Sequence, residues 1–386
     1  MASPHKSPPS NGSGETIRSS AHLGARTVAL DAMGGDRAPD VVVQGAFEAA
    51  SGGCSVVLVG PQDVVASALT TVERQKGKPL SELPGSLTLQ HAPEVVDMGE
   101  EPLRAIRRKR NSSVVVAAAL AAEGRAQAMV SAGSTGAAVA AAVYKMGRIP
   151  GVRRPGIATI IPFPNHPIVL IDSGANAECA PRHLVDFAVM GALFSSAVFG
   201  HKRPRVGLLN IGSEEVKGAA LHRKAHSALK FAGSGVLAEI FEFVGNVEGF
   251  DLPHGAADVV VTDGFTGNVV LKLSEGLARS LIAEIVASIA AKTSGDARDQ
   301  AVRALLELRQ EVNADGMGGA CLLGVNSLAV IAHGSSTAES IARAVKFASS
   351  ETALRLQRSI SASVERLASL LDEELEGESV AETPSF

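Results

Sequence analysis

The chain has 386 residues, 46% of them hydrophobic, enough to fill the core of one large domain or two small ones. Its 36 basic and 40 acidic residues leave a net charge of −4, which argues against a nucleic-acid partner. Three cysteines without paired spacing argue against a disulfide framework or a zinc knuckle, and the lack of Trp leaves a Val, Leu, Ile and Ala core suited to a parallel sheet covered by helices.

Residues 1–26, rich in Ser, Pro and Gly, read as a disordered tail, and the acidic residues 371–386 as a second one. Between them, residues 27–370 are expected to form a single α/β domain. No stretch of ~18 consecutive apolar residues occurs, so no transmembrane helix is expected. TVALDAM (27–33) and SVVLVG (55–60) read as buried strands. The helix between them, 39–51, opens on Pro39, a good first-turn residue. AQAMVSAG (126–133) is a strand entering a Gly/Ser turn, followed by a helix from Thr135. GIATIIPF (156–163) and HPIVLIDSG (166–174) read as adjacent strands. PRVGLLNIGSEE (204–215) is a strand and a Gly-Ser turn, with a helix expected over 214–231. Residues 275–312 have the spacing of two amphipathic helices around a polar turn, a projecting hairpin suited to pairing with a second subunit. Its polar turn makes membrane contact the weaker reading. AADVVVTDGFTGN (256–268) and SLAVIAHGSS (327–336) repeat the strand-to-turn pattern, and a long helix is expected through 343–357.

Strand, Gly-rich turn and helix in repetition specify a mostly parallel α/β sheet flanked by helices. In such sheets the turns after the strands gather at one carboxyl edge, where ligands bind. Five turns fit that expectation: DAMGGD (31–36), SAGSTGA (131–137), NIGSEEVKG (210–218), TDGFTGN (262–268) and HGSS (333–336). Small residues bring a ligand close to the backbone, and N–H groups at a following helix attract anions. Any one such turn is more often steric than functional. GxxxxGK[ST] is absent, and DAMGGD lacks the G-x-G-x-x-G spacing of a dinucleotide turn. Neither G-x-S-x-G nor H-E-x-x-H occurs. Cys179 has no evident thiolate-making partner and reads as a small hydrophobe rather than a nucleophile. Turns, amides, hydroxyls and one Lys suit direct transfer between two bound substrates.

Several stretches closely resemble the bacterial phosphate acyltransferases of phospholipid synthesis: LDAMGGD, EPLRAIRRKRNSS, SAGSTGA, GRIPGVRRP, GANAECAPRHLVDFAVMG, PRVGLLNIGSEEVKG and DVVVTDGFTGNVVLK. The resemblance implies transfer of a fatty acyl group from acyl carrier protein to inorganic phosphate, without a cofactor or metal. A phosphotransacetylase-like enzyme using acyl-coenzyme A is the runner-up. It also implies an isocitrate/isopropylmalate dehydrogenase-like fold shared with phosphotransacetylases, and a cytoplasmic homodimer. Peripheral contact with the inner face of the membrane and hand-over to a glycerol-3-phosphate acyltransferase would follow. Three positions depart from the usual family pattern: Ser134 and Ala219 stand where Asn is usual, and Ser173 where Val is usual.

Under that resemblance Lys217 is the best cation for phosphate or an oxyanion, against the alternative of an exposed helical Lys. Asn268 offers an amide N–H2 to the oxyanion, against the alternative of a helix cap. Asn210 and Ser213 line the same site, and Gly267 belongs to its turn. Ser131, Gly133, Ser134, Thr135 and Gly136 form a phosphate cradle, and His333, Ser335 and Ser336 a second anion cup. Gly34 and Gly35 are expected to let the chain turn closely past a ligand, with Asp31 and Asp36 as acceptors for loop N–H groups. Two basic patches, Arg104, Arg107 and Arg108 on a helix face and Arg148, Arg153 and Arg154, would steer an acidic carrier protein. A solvated surface is the ordinary meaning of such runs.

Overall fold

The computed structural model describes residues 26–364 apart from 236, 293 and 314–316, so the tail readings and residues 365–370 lie outside the described residues. The strands in chain order are β1 (Thr27–Asp31), β2 (Ser55–Gly60), β3 (Ser86–His91), β4 (Ala128–Ser131), β5 (Gly156–Ile161), β6 (Ile168–Ile171), β7 (Arg205–Asn210), β8 (Glu242–Glu248), β9 (Val259–Val261), β10 (Ala320–Leu323) and β11 (Leu328–Ile331). They join in one sheet in the order β3-β2-β1-β4-β11-β10-β5-β6-β9-β7-β8. β10 is antiparallel to both neighbours, β5 and β6 are antiparallel to each other, and every other pair is parallel. The sheet therefore consists of two parallel blocks, β3-β2-β1-β4-β11 and β6-β9-β7-β8, running in opposite senses.

Side-chain alternation sorts the strands between two cores. Val28 and Leu30 of β1 join Val56 and Leu58 of β2 on one face, while Ala29, Val57 and Val59 face the other. Helices α1 (Asp40–Ser51) and α2 (Gln62–Lys76) cover the first face, α3 (Pro102–Arg108), α4 (Ser113–Ala122) and α5 (Thr135–Met146) the second. In the other block, α6 (Pro181–Phe199) and α7 (Ala220–Ser234) pack on the first face. α6 is long and apolar enough to span a membrane, but most of it is buried in this core. α8 (Gly264–Lys292) and α9 (Gly295–Asn313) form the hairpin, and α10 (Ala338–Ala348) lies on α1.

Three boundaries differ from the sequence reading. The helix expected from 214 begins at Ala220, because the GSEEVKG loop is held open by amide side chains and by Gly218 at φ +86°. The helix expected over 343–357 is broken at Ser349–Ser350, where the Ser350 hydroxyl accepts the Ala353 N–H at 3.1 Å and starts a new helix over 351–364. The hairpin's first helix starts at Gly264, well before 275, so the TDGFTGN motif supplies its first turn.

Candidate active site

The expectation of one carboxyl edge fails, because the two blocks run in opposite senses. Turns after β1, β4 and β11 form one cluster, and turns after β6, β7 and β9 form another at the opposite edge. No hydrogen bond or ion pair among the described residues joins them.

In the first cluster the three turns interlock. The buried Asp31 carboxylate accepts the Ser131 hydroxyl at 2.7 Å and the Met33 N–H at 3.2 Å. Ser131 Oγ in turn accepts the Gly133 N–H at 3.2 Å. The Asp36 N–H donates to Gly334 O at 2.9 Å. A Cβ on Gly34 would meet Gly133 N at 2.6 Å, and Gly35 has φ +117°. The close neighbours of a side chain at either glycine are thus other turns of the protein. Ser131 is fully buried and committed to Asp31, so it shapes the cradle rather than touching an anion. Gly133, Ser134 and Gly136 are partly exposed and Thr135 exposed at the start of α5, where the Ser134 side chain makes no cap hydrogen bond. His333 Nδ1 lies 2.7 Å from Ser335 Oγ and accepts the Ser335 N–H at 3.2 Å, so this pair binds itself. Ser336 gives its carbonyl to Arg37 at 3.1 Å.

The second cluster holds Lys217, on the loop after β7, and Asn268, near the start of α8 after the adjacent parallel strand β9. Both side chains are exposed. The Lys217 chain crosses Gly212, where an added Cβ would lie 2.9 Å from its Cγ. Asn210 does not line the site: its Oδ1 accepts the Ile211 N–H at 2.9 Å and its Nδ2 donates to Lys217 O at 3.2 Å. Asn246, missed by sequence reasoning, donates from Nδ2 to Glu214 O at 2.8 Å and pins the other end of that loop. Its strand, β8, is not among those read from the sequence, so nothing there singles it out. Ser213 is exposed on the same loop. Asp263 caps α8, accepting the Thr266 N–H at 2.8 Å and its hydroxyl at 3.0 Å, so Asn268 is not the cap. Gly267 is buried against Asp172 O, 1.9 Å from an added Cβ, a packing position rather than a ligand contact.

The basic patches flank different clusters. α3, with Arg104, Arg107 and Arg108 exposed, packs through Pro102 onto Gly136 at the start of α5. Arg154 lies beside the second cluster, where burial and then the charges of Arg154 and Arg153 hold the His183 imidazole below its usual range. The Arg148 guanidinium is turned onto the carbonyls of Val152 and Arg153. Burial, followed by the charges of Asp172 and Asp263, pushes the Cys179 thiol up to about 12, so it is un-ionised at neutral pH. Among the described residues, no group of three or more His, Cys, Asp or Glu is placed to hold a metal ion.

Residues 26–357 match the family described as "Fatty acid synthesis protein". A phosphate acyltransferase from Desulforamulus reducens is 44% identical over 322 residues, covering 83% of this chain and 92% of that protein. One from Pelotomaculum thermopropionicum is 43% identical over 345 residues, covering 88% and 95%. Among solved structures, a phosphotransacetylase from Streptococcus pyogenes aligns with TM-score 0.56 at 18% identity, covering 85% of this chain and 94% of that one. A phosphotransacetylase from Staphylococcus aureus gives 0.52 at 15%, covering 84% and 94%; both share the fold.

Proposed function

The chain belongs to the phosphate acyltransferase family, and from that premise we propose that it moves a fatty acyl group from the thioester of acyl carrier protein to inorganic phosphate. In this reading a phosphate oxygen attacks the thioester carbonyl carbon, the C–S bond breaks, and the proton of hydrogen phosphate ends on the leaving thiolate. Acyl-phosphate and free carrier thiol result. The bond energy of the thioester is retained in the acyl-phosphate, so the reaction draws on no second energy source.

The observation that carries the reading is the placement of Lys217 and Asn268, exposed beyond the carboxyl ends of the neighbouring strands β7 and β9, with no side-chain hydrogen bond or ion pair to other described residues. A cation on a loop and an amide donor near a helix start, beyond adjacent strands, suit the oxyanion that forms when phosphate adds to the carbonyl. Asn210 and Asn246 hold the Lys217 loop at both ends, so the cation is presented from a braced turn. Gly133, Ser134, Thr135 and Gly136 at the start of α5 are the phosphate cradle of this reading. The protein acts as a homodimer in the cytoplasm, with peripheral membrane contact delivering acyl-phosphate to a glycerol-3-phosphate acyltransferase. One of the two basic patches, that of α3 or that of Arg148, Arg153 and Arg154, receives the acidic carrier.

The test is acyl-phosphate formation, followed by mass spectrometry, with matched acyl carrier and acyl-coenzyme A thioesters. Rapid, phosphate-dependent product with the carrier thioester is expected. Product from the coenzyme A thioester alone would move the assignment to a phosphotransacetylase. Lys217→Ala should lower kcat/KM by ~100-fold, a loss typical of removing one group that stabilises developing charge.

A further inference from the structure

Asp172, at the end of β6, is a fully buried carboxylate that none of the roles above uses. Its Oδ1 accepts the N–H groups of Ile157 at 3.0 Å, Gly174 at 3.0 Å and Ala175 at 2.9 Å. Its Oδ2 accepts both the backbone N–H and the Nδ2 of Asn176, each at 2.8 Å. Asn176 Nδ2 also donates to Pro155 O at 2.7 Å, and its carbonyl accepts the N–H of Gly264, the first residue of α8, at 2.7 Å. One carboxylate thus ties together the start of β5, the loop over 173–176 and the first turn of α8.

The fit leaves no slack. A Cβ on Gly264 would lie 2.8 Å from Asp172 Oδ2, and one on Gly267 would lie 1.9 Å from Asp172 O. The other side of the same loop backs the candidate catalytic amide: a Cβ on Gly174 would lie 3.7 Å from Asn268 Oδ1. Only a carboxylate offers both oxygens to these donors, because an amide in its place has a single acceptor oxygen and would turn an N–H2 toward either Asn176 or the N–H groups on the other side.

Resting on the acyl-transfer reading of Asn268, we propose that Asp172 is a positioning residue: by locking loop 173–176 to the first turn of α8, it sets where the Asn268 amide meets the thioester carbonyl oxygen. A carboxylate needed only for folding would change stability and leave the turnover of folded protein intact. A positioning carboxylate acts on kcat through Asn268, with substrate binding little changed.

The experiment measures kcat and both KM values for Asp172→Asn and Asn176→Ala, each with Asn268 present and with Asn268→Ala, on protein checked by circular dichroism and thermal unfolding. Wild type is assayed beside them with carrier thioester and phosphate. In the Asn268 background Asp172→Asn should cost about 100-fold in kcat, the scale of loss from an ångström of misplacement, with each KM within about threefold. In the Asn268→Ala background the same change should cost almost nothing more. Should Asp172→Asn not fold, Asn176→Ala carries the test, with a smaller kcat loss that also vanishes without Asn268. Folded Asp172→Asn or Asn176→Ala with undiminished kcat, or a loss of the same factor in both backgrounds, would overturn the proposal while leaving the reaction assignment standing. Wild type inactive with carrier thioester and phosphate would bring down both.

Discussion

Cys179 shows how environment decides chemistry at a single residue. It lies close to the charges of Asp172 and Asp263, and half-burial with those acids keeps its thiol protonated. Cys179→Ala should therefore retain turnover within about threefold, and alkylation of Cys179 at neutral pH should be slow; a loss beyond ~100-fold would assign it a chemical role. Asp31 titrates by a different balance. Burial pushes its carboxyl above the ordinary 3.8, against hydrogen bonds from Ser113, Ser131 and the Met33 N–H. A carboxyl with a raised folded value holds its proton more tightly folded than unfolded. Its contribution to stability is then fullest in acid and declines as pH rises from the unfolded value through the folded one. Asp31→Asn stays neutral throughout. Its melting temperature relative to wild type should rise as the pH rises above about 4, the ordinary carboxylate value, and a flat difference would contradict the account. Gly267→Ala tests close packing, since its Cβ would run into Asp172 O. Denaturant unfolding should show a loss of about 1–3 kcal/mol, the usual cost of overpacking.

α8 buries only Gly264 and Gly267 among its described residues. Phe265, Val269, Leu273, Leu277, Leu281 and Ile285 recur at every fourth residue and are all 45% or more exposed, a stripe winding slowly round the helix. Apolar faces of this extent are buried in stable proteins, here in the proposed homodimer. Leu273→Glu with Leu277→Glu should shift the protein from dimer to monomer in analytical ultracentrifugation; an unchanged dimer would place the interface elsewhere. The hairpin was legible in the sequence because its helical spacing is strong, but its start was not. TDGFTGN has the Gly-rich look of a turn, and only the Asp263 cap and the contact of Gly267 with Asp172 O show that helix begins at Gly264. β1, β2, β4 and β11 were readable as β-branched runs ending in turns. β8 was not, since EFVGNVE puts Gly and Asn inside the strand. The Asp172 knot was invisible for a different reason. Four of its five donors are main-chain N–H groups, of Ile157 and residues 174–176, and the one side-chain donor, Asn176 Nδ2, reveals nothing of them by its spacing.

For the whole molecule, the turns were legible but their arrangement was not. Repeated strand-turn-helix units imply one carboxyl edge only if every strand runs the same way, and β10 and the β5–β6 hairpin reverse the sense between the two blocks. The same topology separates the two basic patches, which gives the carrier a choice of approach. Arg107→Glu with Arg108→Glu should raise the carrier KM by ~10-fold or more at low salt, an effect that shrinks as salt is added. A salt-independent KM would rule that patch out in favour of the Arg153–Arg154 side.

The claim beneath these predictions is that acyl donor and phosphate react with each other while both are bound. Rapid-quench intact-mass measurement of the protein during turnover with carrier thioester and phosphate addresses it most directly. The account predicts acyl-phosphate accumulating while the mass of the chain stays unchanged at every time point. A chain heavier by one acyl group, formed and consumed at the rate of turnover, would contradict it.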